Sequence, residues 1–64
     1  MNNFKLKKIR EQKGLTIEKL AELADISAGY LCHLENGSRS NPSITVMTNI
    51  AKALDVDIAE IFFK

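Results

Sequence analysis

Apolar positions recur along this chain at intervals of three and four, the spacing of one helix face. No stretch alternates with the period of two that a half-buried strand requires. Leu6 and Ile9 open the series, and Gly14 is a natural stop for a first helix. Thr16 stands as an N-cap, its hydroxyl placed to satisfy an orphan amide of the next turn. Ile17, Leu20, Ala21 and Ala24 then form one stripe, predicting a second helix over about 17–24. After a break at Asp25-Ile26, Ser27 is another N-cap, and the helix it opens ends at Asn36-Gly37. Ser38-Arg39-Ser40-Asn41-Pro42 is a polar, proline-containing loop. Ser43 caps a fourth helix that aligns Ile44, Met47, Ile50, Ala51 and Leu54 on one face. Asp57-Ile58-Ala59-Glu60 reads as an acidic form of the capping box at the start of a fifth helix. Val56, Ile58, Ile61 and Phe62 supply that helix with apolar contacts. The pattern therefore predicts an all-α fold of five helices, with residues 1–64 forming a single domain.

The second and third helices are separated by only about two residues, Asp25 and Ile26, too few for a flexible loop but enough for a tight helix-turn-helix corner. Ala21 is small where the helices cross, and Ile26 is placed to plug the corner from inside. Steps of about 100° divide the third helix into two halves. Ser27, Tyr30, Leu31, Leu34 and Glu35 fall inward, while Ala28, Gly29, Cys32, His33 and Asn36 fall outward. That outward face is small, uncharged and free of lysine and glutamate, which suits close approach to another surface. In a DNA major groove each residue has a task. Ala28 meets a thymine methyl, Gly29 lets the backbone come near, His33 reaches a purine edge, and Ser27 reaches a phosphate or a base. The amides opening the helix point at phosphate in the same pose. Asn36, Ser38, Arg39, Ser40 and Asn41 follow the backbone just beyond the groove, although the same loop residues also suit ordinary turn chemistry.

A chain of 64 residues is one small domain, burying only about 60% of its unfolded surface. The single cysteine, Cys32, forms no internal disulfide, and no cysteine-histidine set has zinc-site spacing. Helix packing, with dimerisation as a further contribution, must then supply the stability. The basic N-terminus lacks the apolar core of a leader, and no run approaches the ~20 apolar residues of a membrane span. A cytoplasmic protein is expected, with no membrane association. Net charge is only +1, but it is unevenly spread. Residues 1–13 carry Lys5, Lys7, Lys8, Arg10 and Lys13 against Glu11, a local +4, and residues 14–64 balance to −3. Either a basic first helix facing a polyanion or a plain solvated amphipathic helix accounts for that asymmetry.

Taken together, Leu15-Thr16-Ile17-Glu18-Lys19-Leu20-Ala21, Ile26-Ser27, Tyr30-Leu31 and Leu34-Glu35-Asn36-Gly37 resemble the Cro/repressor-type helix-turn-helix family, also called the xenobiotic-response-element family. Asn41-Pro42-Ser43-Ile44 and Leu54-Asp55-Val56 leading to Ile61-Phe62 continue the match over essentially the whole chain. The resemblance implies a compact five-helix repressor-like domain with a helix-turn-helix over about 16–36 and the third helix as recognition helix. It also implies a homodimer on a palindromic operator whose half-sites lie about one helical turn, ~34 Å, apart. Family members often pair an arginine in the first helix with the glutamate that ends the recognition helix. Arg10 and Glu35 hold those positions, either as a purely structural ion pair or with Arg10 also touching phosphate. Two departures stand out. Asp25 replaces the glycine common at the corner, a residue that tolerates left-handed backbone better than most. The recognition face also lacks the Gln and Arg side chains of strong bidentate base contacts, which favours readout through DNA shape or through His33 and Arg39 alone.

The candidate DNA-binding residues are accordingly Thr16, Ile17, Ser27, Ala28, Gly29, Tyr30, Cys32, His33, Asn36, Ser38, Arg39, Ser40 and Ser43. No metal or other cofactor is expected, because Cys32 points about 100° away from His33 and no second histidine completes a site. Cys32 reads as a small surface residue, with a thiol open to oxidation. Tyr30 reads as a packing residue whose hydroxyl reaches out to phosphate. Phe62 and Phe63 are adjacent and cannot both face one core, leaving one ring for a dimer contact or a frayed terminus. The leading expectation is a transcriptional regulator, a repressor in the first instance, that binds double-stranded DNA. With the fifth helix ending the sequence, sensing would come from a regulatory protein partner or from concentration. A protein-interaction module that keeps the fold without DNA affinity is the second expectation, favoured by the low net charge and the bland recognition face. Catalysis finds no support, since no nucleophile-base pair, carboxylate pair or phosphate-cradling glycine loop is present.

Overall fold

The computed structural model describes residues 5–36 and 42–63. Five helices follow one another with no strand among the described residues: α1 Leu6–Gln12, α2 Ile17–Ala24, α3 Ala28–Asn36, α4 Ile44–Leu54 and α5 Ile58–Phe62. Their ends are set by local chemistry that the sequence announces. The hydroxyl of Thr16 accepts from the Lys19 amide at 3.0 Å, that of Ser27 from Tyr30 at 3.0 Å, and that of Ser43 from Val46 at 3.1 Å. Each such cap satisfies one amide that the first helical turn leaves unpaired.

Three of the helix C-termini end alike. Gly14, Asp25 and Asp55 each take left-handed backbone, with φ of 73°, 60° and 58°. The residue after each sends its amide back five positions: Leu15 to the Arg10 carbonyl, Ile26 to Ala21 and Val56 to Ala51, at 3.2, 3.0 and 3.1 Å. The left-handed residue itself donates to the carbonyl three positions back, completing a Schellman motif in each case. A triplet of left-handed residue, apolar plug and N-cap thus recurs as Gly14-Leu15-Thr16, Asp25-Ile26-Ser27 and Asp55-Val56-Asp57. It turns the chain sharply three times and folds an apolar side chain under each corner, Leu15, Ile26 and Val56 all packing against the core.

The core is assembled from one side of every helix. Leu6, Leu20, Leu31, Leu34, Ile50, Leu54 and Ile61 are the largest fully buried side chains. The small Ala21, Ala24 and Ala51 are buried among them, which lets backbones approach. α2 packs most extensively on α4 and next on α3, while α5 lies against α4 and α1. The Lys5 amide donates to the Ile61 carbonyl at 3.0 Å, tying the start of the first helix to the last.

Four expectations need correction. Ile44 does not join the buried face of α4 but is 65% exposed, because the first residue of the helix projects past its neighbours. Ala28 is not outward-facing but half-buried, packed against the core where α3 leaves the corner. Ser27, placed inward by helical phase, is exposed, since an N-cap has extended rather than helical backbone. Asp57 begins α5 without a side-chain cap bond, so the acidic capping box does not form with its carboxylate as acceptor; the Glu60 amide takes the Asp57 carbonyl instead, at 2.9 Å. At the end of α5, Phe62 enters the core while Phe63 remains 64% exposed, the division that two adjacent rings require.

Candidate nucleic-acid interface

The corner between α2 and α3 presents one face of α3 outward. Gly29, Cys32, His33 and Asn36 are all exposed, at spacings of three and four, and none of them is a lysine, arginine, aspartate or glutamate. A Cβ built on Gly29 would meet nothing within 4 Å, so this face is smooth there without being tightly packed. Leu31 and Leu34 on the opposite side are fully buried and fix the helix on the core. Cys32 Sγ and Asn36 Nδ2 lie 4.0 Å apart on the outward side.

Around this face the candidates separate. Ser27 is exposed at the α3 N-terminus; its oxygen is taken by the Tyr30 amide, which leaves the hydroxyl proton available for donation outward. Thr16 stands in the same condition at the start of α2. Ile17 is half-buried and borders a cleft that Cys32 and Asn36 also line, so α2 and α3 do bring these three together. Tyr30 is half-buried against the core. Ser43 is exposed but sits on another element, capping α4. Ser38, Arg39 and Ser40, with Gly37 and Asn41, lie outside the described residues.

Beneath the face lies an ion pair. Arg10, on α1, aims Nε at Glu35 Oε2 at 2.6 Å and a terminal nitrogen at Glu35 Oε1 at 3.2 Å. Its other terminal nitrogen donates to the Leu15 carbonyl at 2.6 Å. The two side chains are only 9% and 5% exposed. The hydrogen bond with Glu35 raises the Arg10 pKa above the ordinary arginine range, against the opposing effect of burial, and the charges of Glu35, Glu11 and Glu18 add to the rise. All three guanidinium nitrogens are thus engaged within the fold, which supports the structural role of Arg10 over a phosphate contact. The bidentate fork is the geometry in which a buried charge pair recovers most of its desolvation cost.

The cleft beside the fork is lined by Lys7, Arg10, Ile17, Cys32, Glu35 and Asn36. Lys7 is absent from the candidates that the sequence singles out. A signal for it exists: Lys7 and Arg10 are three apart on one helix, so the pairing of Arg10 with Glu35 turns Lys7 toward α3 as well. Among the described residues no group of three or more histidine, cysteine, aspartate or glutamate side chains is arranged to hold a metal ion. No described helix is long and apolar enough to cross a membrane.

Comparison with known proteins agrees with this geometry. A family model described as helix-turn-helix matches residues 6–61. The HTH-type transcriptional regulator SinR of Bacillus subtilis (strain 168) is 33% identical over 54 residues, covering 84% of this chain and 49% of SinR. The immunity repressor protein of Bacillus phage phi105 is 37% identical over 57 residues, covering 89% of this chain and 39% of the repressor. The chain therefore spans about half, or less, of the length of these curated relatives. Among solved structures, the restriction-modification controller protein C.AhdI from Aeromonas hydrophila superposes with a TM-score of 0.83 at 36% identity, covering 88% of this chain and 83% of that one. SinR in complex with DNA gives 0.82 at 33% identity, covering 84% and 86%. The SinR/SinI protein complex gives 0.89 at 30% identity, covering all of this chain and 62% of that one.

Proposed function

This chain belongs to the Cro/repressor-type helix-turn-helix family, whose members are DNA-binding transcription regulators rather than enzymes, and from that membership we propose sequence-specific binding of double-stranded DNA by residues 1–64 as one domain. The observation that carries the reading is the face of α3: small, exposed, free of fixed charge, and held from behind by Leu31 and Leu34. In this pose α3 enters the major groove with Gly29 at closest approach. Cys32, His33 and Asn36 meet base edges, and Ala28 supports the helix at its start. Ser27 and Thr16 donate hydroxyl protons to flanking phosphates, Tyr30 adds a phenolic donor, and Ile17 closes the side of the contact. Ser38, Arg39, Ser40 and Ser43 follow the backbone past the groove.

The regulator acts as a repressor, a homodimer on a palindromic operator, by occupying the site that polymerase needs. The exposed Phe63 ring at the end of α5 is apolar area of the kind a dimer contact buries. A regulatory protein partner is a second element of the proposal, since the structure of a SinR/SinI complex shares this fold.

Selection of binding sites from a random duplex pool, followed by salt titration on the enriched sequences, tests the reading. An enriched palindrome whose affinity falls steeply with salt, by a slope of roughly −0.9 per phosphate neutralised, is expected. No enrichment, with little binding even at low salt, would replace it with the protein-interaction reading.

A further inference from the structure

The cleft between α1 and α3 is where charge and position coincide. Its volume is about 270 Å³, and two of its walls, Cys32 and Asn36, belong to the outward face of α3. It therefore opens at the edge of the surface that the DNA-binding reading places against the groove. Its charges do not cancel. Arg10 and Glu35 neutralise each other within the fold, which leaves Lys7 as the excess cation of a lining whose one carboxylate, Glu35, is already paired with Arg10. Glu11, one turn further along α1, lies 4.0 Å from the Arg10 guanidinium. Lys7 is exposed and, among the described residues, forms no ion pair. Lys8, its neighbour, is also exposed but takes no part in the cleft.

We propose that Lys7 is a phosphate-contacting residue: it seats a DNA backbone phosphodiester at the mouth of the α1–α3 cleft, alongside the bases met by Cys32 and Asn36. The inference rests on the DNA-binding reading and deepens it. An ammonium on a flexible stem is suited to a phosphate oxygen whose position is set by the groove, and it carries no sequence information. Its work is to fix how far α3 lies along the groove, by holding the strand on the α1 side while the α3 N-terminus holds it elsewhere.

The test is a salt titration of a duplex recovered from the random pool, with the unmodified chain and with Lys7→Gln, Lys7→Arg and Lys8→Gln. Lys7→Gln is expected to make the slope of log affinity against log salt shallower by about 0.9, one phosphate contact. Between 50 and 200 mM salt the unmodified chain should consequently lose roughly threefold more affinity than Lys7→Gln. Lys7→Arg should keep the original slope, as should Lys8→Gln, and base preference should be the same in all four. Thermal unfolding by circular dichroism should match for all, because neither lysine packs into the fold. An unchanged slope in Lys7→Gln while the unmodified chain binds with steep salt dependence would overturn this inference alone. An equal change in Lys8→Gln would overturn it too, by making the effect one of net charge. Failure of the unmodified chain to bind any duplex would overturn the DNA-binding reading and this inference with it.

Discussion

A glycine in the second position of a nine-residue helix costs stability, since it has the most backbone freedom to lose. Gly29 has no structural need to be glycine: its φ lies outside the left-handed region and the space around it is open. Gly29→Ala should therefore stabilise the domain by about 0.5–1 kcal/mol, read from the urea midpoint. Gly29→Glu should leave the circular dichroism spectrum intact yet abolish binding to the selected duplex, because a carboxylate at this position faces the phosphates lining the groove. Tight binding by that variant would sink the assignment of α3 as recognition helix. The outward position of Gly29, Cys32, His33 and Asn36 is legible from helical phase alone. Phase misplaces Ala28 and Ile44, both at the first position of a helix. Angular position says which way a residue points but not whether a neighbouring element extends far enough to cover it.

At the scale of elements, the corners hold the most readable information. Caps at Thr16, Ser27 and Ser43 follow from residue type, because only a short side chain with an acceptor oxygen reaches the third amide. The left-handed turns at Asp25 and Asp55 are less obvious, since aspartate is not the residue that this backbone prefers. Non-glycine residues incur roughly 1–2 kcal/mol in that region, aspartate somewhat less. Asp25→Gly and Asp55→Gly should each raise stability by up to about 1 kcal/mol in urea unfolding, and the two gains should add, since the corners share no partner. Substitution by valine at either site should destabilise instead. Asp57 shows the limit of motif reading: the Asp-x-x-Glu spacing is present, but the carboxylate makes no cap bond.

Across the whole molecule, the five-helix order and the choice of core residues follow from periodicity, because each helix has one apolar side and a small domain has one place to put it. The Arg10–Glu35 pair does not follow from the pattern. An arginine on a basic helix reads as solvated, and only family resemblance joined it to a glutamate 25 residues away. With both side chains nearly buried, removing one strands the other. Glu35→Ala should cost about 3–5 kcal/mol, comparable with the total stability available to a domain this size, and so leave the chain largely unfolded by circular dichroism. Arg10→Met with Glu35→Leu should recover much of that loss, as apolar replacement of buried pairs often does. The sign of the Arg10 pKa shift sets its pH behaviour. Raised in the folded state, it contributes fully below the ordinary arginine range and is lost only as pH climbs through the higher folded value. Ordinary buffers therefore leave the guanidinium half of the pair untouched.

The same fork fixes the angle between α1, which carries Lys7, and α3, the helix proposed to enter the groove. It does so with a planar group gripped on two edges, by Glu35 and by the carbonyl of Leu15. The entropy of aligning those two helices is lost when the chain folds, so none of it remains to be lost on meeting a ligand. The domain is preorganised. On the DNA-binding proposal, its two points of attachment arrive together, as the prongs of one rigid plug, and a version with the fork cut but the fold retained would have to align them during the encounter.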